Sequence, residues 1–185
     1  YEKIPIDLDG VFTTSWHPFE NKIAFMGHKD DSSDIYIIDL NSDEIINITN
    51  DIFSDSSPSW SPNGKIIYFT SDRGENINAN NMFDVDFSQT DIFQYSLESD
   101  TVSQLTNTEY NENYPVADSD GNLYYTADYN GITNIFRHDL INNEAFPITN
   151  VITGVQQIDL DNNNNLVFSG FKKRGWDLYL SLIHI

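Results

Sequence analysis

The sequence predicts an all-β protein, a β-propeller built of four-stranded antiparallel blades, with about four blades in this chain. Repeated motifs at fixed spacing, strand-type residues between them and turn signals at matching positions support this fold class. Residues 57–75, "SPSWSPNGKIIYFTSDRGE", are typical of a strand, a tight turn and a second strand. Asn and Gly both accept the positive φ that a tight hairpin turn requires, so this segment predicts the hairpin of one blade.

The repeat has a measurable period. The motif "DIYIIDL" begins at Asp34, and related motifs begin at Asp91, Asn134 and Asp177, so the steps are 57, 43 and 43 residues. A second landmark, "ITN" or "LTN", follows the first three copies with the same steps of 57 and 43 residues. Short β-branched and aromatic runs in a repeat of about 40 to 45 residues indicate a propeller blade rather than a helical repeat.

These steps divide the chain into blades at 10–50, 51–107, 108–150 and 151–180, of which the last is partial. Residues 1–9 are predicted to be the outer strand of a preceding or closing blade. Two arrangements fit: an open fragment of a propeller of roughly six to eight blades in a larger protein, or a closed ring of four blades. In either arrangement, Trp16 and Trp60 are expected to pack between neighbouring blades.

The final residues, "LSLIHI", resemble the translation of an adapter used in sequencing libraries. We therefore predict that residues 181–185 are a non-native tail. The alternative is an ordinary apolar strand.

The charge of the chain limits the classes of partner. The 29 acidic and 9 basic residues give a formal net charge of -20, which repels phosphate backbones and anionic lipid. No apolar run approaches the roughly 20 residues of a membrane-spanning helix, and no signal segment is present in this window. We expect neither nucleic-acid binding nor membrane insertion by this segment.

Motifs for catalysis are missing from the sequence. It contains no Gly-x-Ser-x-Gly turn, and its four histidines lack the spacing of a metal or catalytic site. We predict no catalytic residues, no metal site and no cofactor. The acidic loops Lys29–Asp34 and Asp159–Asn165 leave open a weakly bound cation.

The second blade departs from the repeat by 14 extra residues, which fall within 73–90. Long insertions in compact domains are usually functional or disordered, so this segment is a candidate for contact with a partner. One alternative is a loop folded over its own blade. For Asp72 and Arg73, the alternative is a structural role at the loop. The predicted binding residues are Asp72, Arg73, Met82, Phe83, Asp84, Asp86 and Phe87.

The segment "WSPNGKIIYFTSDRGE", with "DIFQYSL" and "QLTN", resembles the WD40-like, or PD40, repeat of TolB-type β-propellers. The segment "SWHPFENKIAFMG" is a second close copy, whereas the later copies lack the Trp and the Ser-Pro pair. The resemblance implies a non-catalytic propeller of the periplasm or cell envelope that binds a protein or peptide; it does not define the oligomeric state.

The same repeat also occurs in propellers of serine peptidases of the dipeptidyl-peptidase-like and tricorn-like kinds. The alternative function is therefore a substrate-gating propeller whose catalytic domain lies outside this chain. A propeller enzyme such as a sugar lyase would need a cluster of His and basic residues, which the scarcity of Lys and Arg disfavours.

Overall fold

The computed structural model of the protein describes residues 3–75, 79, 81, 83, 87–161 and 163–181. These residues form four antiparallel sheets that follow one another along the chain, and within each sheet every strand pairs with the next one. The all-β, propeller-type architecture that the sequence predicts is confirmed. Among these residues, no helix combines the length and the apolar character needed to cross a membrane.

The first two blades have four strands each. The first blade contains β1 (Gly10–Trp16), β2 (Lys22–Lys29), β3 (Ser32–Asp39) and β4 (Glu44–Asn47). The second blade contains β5 (Asp55–Trp60), β6 (Ile66–Ser71), β7 (Asp91–Ser96) and β8 (Thr101–Gln104).

The third blade again has four strands and the fourth has three among the described residues. The third blade contains β9 (Glu112–Ala117), β10 (Asn122–Ala127), β11 (Asn134–Asp139) and β12 (Glu144–Pro147). The fourth blade contains β13 (Val155–Leu160), β14 (Leu166–Lys172) and β15 (Gly175–Ser181).

The apolar core lies between blades. A four-stranded sheet has two faces and cannot cover both of them itself, so neighbouring blades pack face to face. The first junction, between the first and second blades, buries Ala24 and Ile35 against Trp60, Ile67 and Phe69. Each large aliphatic or phenyl side chain among them, such as that of Ile67 or Phe69, contributes about 1.5–3 kcal/mol to stability by leaving water. The second and third junctions contain equivalent buried clusters.

Trp60 is buried at the first junction, whereas the equivalent Trp16 is exposed. Its side chain is 6% exposed, its indole N–H donates to the Ser15 carbonyl oxygen at 3.2 Å, and its ring meets that of His17 edge-on at 4.5 Å. Trp16 occupies the same position of the first blade, yet it is 61% exposed. The expectation of packing between blades therefore holds for Trp60, but no neighbouring blade covers Trp16 in the described part of the chain.

The inner strands β1, β5, β9 and β13 contact one another in chain order around a common axis. No comparable contact joins β1 to β13 among the described strands, so the four blades form an arc. The arc encloses a cleft of about 420 Å³ that every inner strand lines, for example through Thr14, Ser57, Tyr114 and Gln157. The pairing of each inner strand with the next strand of its blade contains a register shift near the cleft. Such a shift is expected where a β-bulge redirects side chains.

Residues 3–9 differ from the predicted outer strand. They form no strand in the structure; instead Ile4, Ile6 and Leu8 pack against the cluster of Phe25, Tyr36 and Ile38 on the outward face of the first blade. The apolar residues of this segment cover the face instead of pairing in a sheet. At the other end of the chain, Ser181 is the last residue of β15 and pairs with Leu166 of β14. Residues 182–185 lie outside the described residues.

The Asn-Gly turn of the second blade packs against the first blade. Gly64 has φ 71°, and its carbonyl oxygen lies 3.2 Å from Nε2 of His17. Nδ1 of His17 accepts the N–H groups of Phe19 and Glu20, so Nε2 carries the proton and donates it to Gly64.

We expect Gly64→Ala to destabilise the protein by about 1–3 kcal/mol in urea denaturation. A Cβ at this position would lie 2.6 Å from Cε1 of His17, in addition to the cost of the left-handed backbone. Gly74→Ala is the matched control, since its φ is 53° but a Cβ there meets nothing within 4 Å. Equal losses in both variants would show that contact with His17 does not matter.

Candidate binding face

One face of the arc carries the two ends of the long connection 72–90 together with the links between blades at 48–54, 105–111 and 148–154. We call it the insertion face. In a meander of four strands, the connection between the second and third strands emerges at the same end of the sheet as the link to the next blade. This topology places both ends of the insertion beside the links.

Arg73 fixes the beginning of the insertion to the first junction. Its side chain is 2% exposed, and its two terminal nitrogens bind Asp51 Oδ2 at 2.9 Å and the Asp55 oxygens at 2.7 and 2.6 Å. Its Nε donates to Ser71 Oγ at 2.8 Å. Hydrogen bonds between charged groups are stronger than neutral ones, so this residue is a structural anchor of the face.

Three aromatic rings enclose the same guanidinium. Its central carbon lies 5.0 Å from the ring centre of Phe53 and 5.4 Å from those of Phe69 and Phe93. Cation–π attraction strengthens when the cation is removed from water. The cage holds the head group of Arg73 inside the protein rather than presenting it to a partner.

The carboxylates near Arg73 form the kind of group that could hold a metal ion. One oxygen from each of Asp34, Asp51 and Asp55 lies within 4.8 Å of the others. The guanidinium of Arg73 already supplies the cation, however, through ion pairs with two of the three. Burial raises the pKa of Asp55 to about 6 and Arg73 opposes that rise, so the carboxylate is ionised at neutral pH.

Asp72 also ties the insertion to a neighbouring link. Its Oδ1 accepts the N–H of Ser54 at 2.8 Å, and its own N–H points to the Ser54 carbonyl oxygen at 3.4 Å. The structural role that the sequence leaves open for Asp72 is thus a hydrogen bond to the link 48–54. Burial raises the pKa of Asp72, with these hydrogen bonds opposing the rise.

The two aromatic residues among the predicted binding residues differ in their exposure to solvent. Phe83 is 96% exposed, and its backbone N–H donates to Asn81 Oδ1 at 3.1 Å. Phe87 is 38% exposed, and its ring centre lies 6.3 Å from that of Phe53, at the edge of the Arg73 cage. The predicted binding residues Met82, Asp84 and Asp86 lie outside the described residues.

The end of the insertion is fixed to the link 105–111. The Gln89 side-chain amide donates to the carbonyl oxygens of Thr108 and Tyr110, the second at 3.1 Å. The N–H of Thr90 donates to Asn111 Oδ1 at 3.2 Å. The insertion thus bridges two junctions of the arc, with Arg73 at one and Gln89 and Thr90 at the other.

Sequence reasoning missed the residues that hold this second end, and it missed the buried Glu112 beneath them. A signal for Glu112 was present, since it stands 57 residues after Asp55, which is one full step of the repeat. The structure places both acids at the first position of an inner strand.

Comparisons with known proteins give the fold a family context. Residues 8–89 match the PD40 family, described as the TolB beta propeller domain. An uncharacterized protein of Agrobacterium fabrum (strain C58) is 23% identical over 149 residues, which is 80% of this chain and 43% of that protein.

Solved structures agree on the architecture. TolB from Acinetobacter baumannii has a TM-score of 0.72 and 21% identity, over 93% of this chain and 41% of TolB. A puromycin-hydrolyzing peptidase from Mycobacterium tuberculosis has a TM-score of 0.69 and 13% identity, over 91% of this chain and 26% of the peptidase. The chain spans less than half the length of each of these proteins. From the repeats, the blade architecture and these likenesses, the chain is a β-propeller with a fold like that of TolB, and its residues 8–89 match the PD40 family.

Proposed function

We propose that this chain is a non-catalytic, protein-binding propeller of the periplasm or cell envelope, and that it recognises its partner through the insertion face. The observation that carries this proposal is the combination of two anchored ends with an exposed apolar residue between them. Arg73 and Gln89 hold the ends by ion pairs and hydrogen bonds, while Phe83 remains 96% exposed.

This combination favours recognition on physical grounds. Fixing the ends of a loop before a partner arrives reduces the conformational entropy that binding must remove. A large aromatic side chain in water gains the most when a partner covers it, and such residues dominate the energetics of interfaces. The net charge of -20 favours a partner surface with basic residues.

The proposed location in the cell envelope is supported by the structural similarity to TolB, which is a similarity of fold. The peptidase from Mycobacterium tuberculosis supports the second candidate, a propeller that gates access to a catalytic domain elsewhere in the protein. The two candidates differ in what adjoins the propeller. A domain with a Gly-x-Ser-x-Gly turn in the same open reading frame would favour the gating propeller.

Site-specific cross-linking in the native host tests the binding face. A photo-activatable residue in place of Phe83 should give a discrete adduct with one protein, because this side chain is expected to lie in the interface. Ile141 is the matched control, since it is 78% exposed but lies between β11 and β12, on the opposite face. Adducts that are equally strong from both positions, or absent from position 83, would contradict the proposal.

A further inference from the structure

The second junction, between the second and third blades, has a buried acid at the same position as the first junction but no arginine beside it. Glu112 begins β9 as Asp55 begins β5, and both side chains are buried. Asp55 is paired with Arg73, two residues after the end of β6. The residue two places after the end of β10 is Tyr129. The second junction thus keeps the buried acid but lacks the arginine.

Tyr129 stands at the repeat position of Arg73 and contacts two aromatic rings there. Its ring lies 5.1 Å from that of Tyr110 and 6.1 Å from that of Phe136, and these stand at the positions of two rings of the Arg73 cage. A phenol carries no positive charge near neutral pH. The ring of Tyr129, which is 39% exposed, therefore does not neutralise Glu112.

Glu112 is left with an unsatisfied oxygen. It is 1% exposed; Oε1 accepts the Thr108 hydroxyl at 3.0 Å, but Oε2 is buried without a partner. No ion pair of the described residues includes Glu112. The buried hydroxyl of Thr70 also lacks a partner, and it shares a face of β6 with Tyr68, which packs into this junction. A carboxylate in such surroundings is costly unless it binds a proton or a cation.

Among the titratable groups around Glu112, the Asp91 carboxylate opposes its ionisation, and the tyrosines are uncharged near neutral pH. Asp91 of β7 and Tyr125 of β10 face it, and Tyr110 and Tyr129 belong to the adjoining connections. Burial raises the pKa of Glu112 to about 7; repulsion from Asp91 adds to the rise, and the hydroxyls of Thr106 and Thr108 oppose it.

Glu112 is bonded directly to the end of the insertion. Its N–H donates to the Thr90 carbonyl oxygen at 2.8 Å, and the Thr90 hydroxyl donates to the Glu112 carbonyl oxygen at 3.2 Å. Thr108, whose hydroxyl binds the carboxyl group, also accepts the amide of Gln89 through its carbonyl oxygen.

We propose that Glu112 is a pH-sensitive latch: its protonated carboxyl closes the second junction and holds residues 89–90 of the insertion, and its ionisation loosens them. The latch follows from the packing of the second junction and does not depend on the proposed function. If the insertion face does bind a partner, the latch would make that binding tighter in mildly acidic conditions.

The sign of the effect follows from the pKa of Glu112 in each state. Below about pH 4.5 the carboxyl is protonated in both the folded and the unfolded protein, and above about pH 7 it is ionised in both. Between these values only the folded protein keeps the proton, so its stability falls as the pH rises through this window and then levels off.

Hydrogen exchange of the full-length protein, followed by mass spectrometry and corrected for the intrinsic pH dependence, tests the latch. We expect exchange in the segments 87–91 and 105–112 to speed up about tenfold between pH 5.5 and 8.5. Glu112→Gln mimics the neutral acid and should keep both segments protected throughout. The matched control Glu109→Gln removes an exposed carboxyl from the same link and should behave as the wild type does.

The latch is wrong if wild-type protection does not depend on pH, or if Glu112→Gln shows the wild-type dependence. Should that variant fail to fold, the carboxyl carbon signals of ¹³C-glutamate in the wild type decide the matter. One glutamate should titrate near pH 7, and titration of every glutamate near 4.5 would overturn the proposal. Restoration of protection at pH 8.5 by added sodium or calcium would assign the site to a cation instead.

Discussion

Arg73→Met should destabilise the 185-residue chain by about 3–5 kcal/mol, one of the two largest effects that we expect from a single change. The methionine fills much of the same volume, but it leaves Asp55 fully buried and Asp51 partly buried without their cation. Urea denaturation at pH 7.5 measures the loss. The loss should shrink on acidification, because Asp55 without Arg73 takes up a proton more readily and its burial then costs less.

A triple variant separates the charge from the packing. Combining Arg73→Met with Asp51→Asn and Asp55→Asn removes the uncompensated carboxylates and should recover a good part of the lost stability. If Arg73→Met alone costs less than about 1 kcal/mol, the guanidinium is not the partner of these acids and the anchor of the insertion is elsewhere.

Trp60→Ala is expected to cost about 3–5 kcal/mol, because it empties the centre of the first junction. The change removes the ring contact with His17 and the hydrogen bond to Ser15. Trp16→Ala provides a control at the same position of the repeat, and its 61% exposure predicts a loss below about 1 kcal/mol in the 185-residue chain. Similar losses for the two tryptophans would show that junction packing is not what distinguishes them.

Much of the fold could be predicted because the signals are local and repeated. The turn at Asn63 and Gly64 and the strand motif beginning at Asp34 each specify a hairpin or strand within a few residues. Their recurrence at fixed steps then indicates stacked blades. The exposure of Trp16 could not be predicted, because it depends on which surface lies against the first blade.

The candidate site was harder to predict because its contacts join distant parts of the chain. The residues Asp72 and Arg73 drew attention as a motif, but their partners lie on the link 48–54 and at the start of β5. Composition also could not distinguish Phe83 from Phe87, of which only the second packs near Phe53. Aligning the repeats would have placed Glu112 with Asp55, although only the structure shows that its Oε2 lacks a partner.

The recognition role of the insertion face can be tested most directly with the cross-linked partner in purified form. Its affinity for the wild type, Phe83→Ser and Ile141→Ser should be measured side by side by calorimetry. We expect Phe83→Ser to weaken binding about tenfold or more, as loss of an aromatic anchor does, and Ile141→Ser to leave the affinity unchanged. Equal affinities of all three proteins, or a loss confined to Ile141→Ser, would contradict recognition through this face.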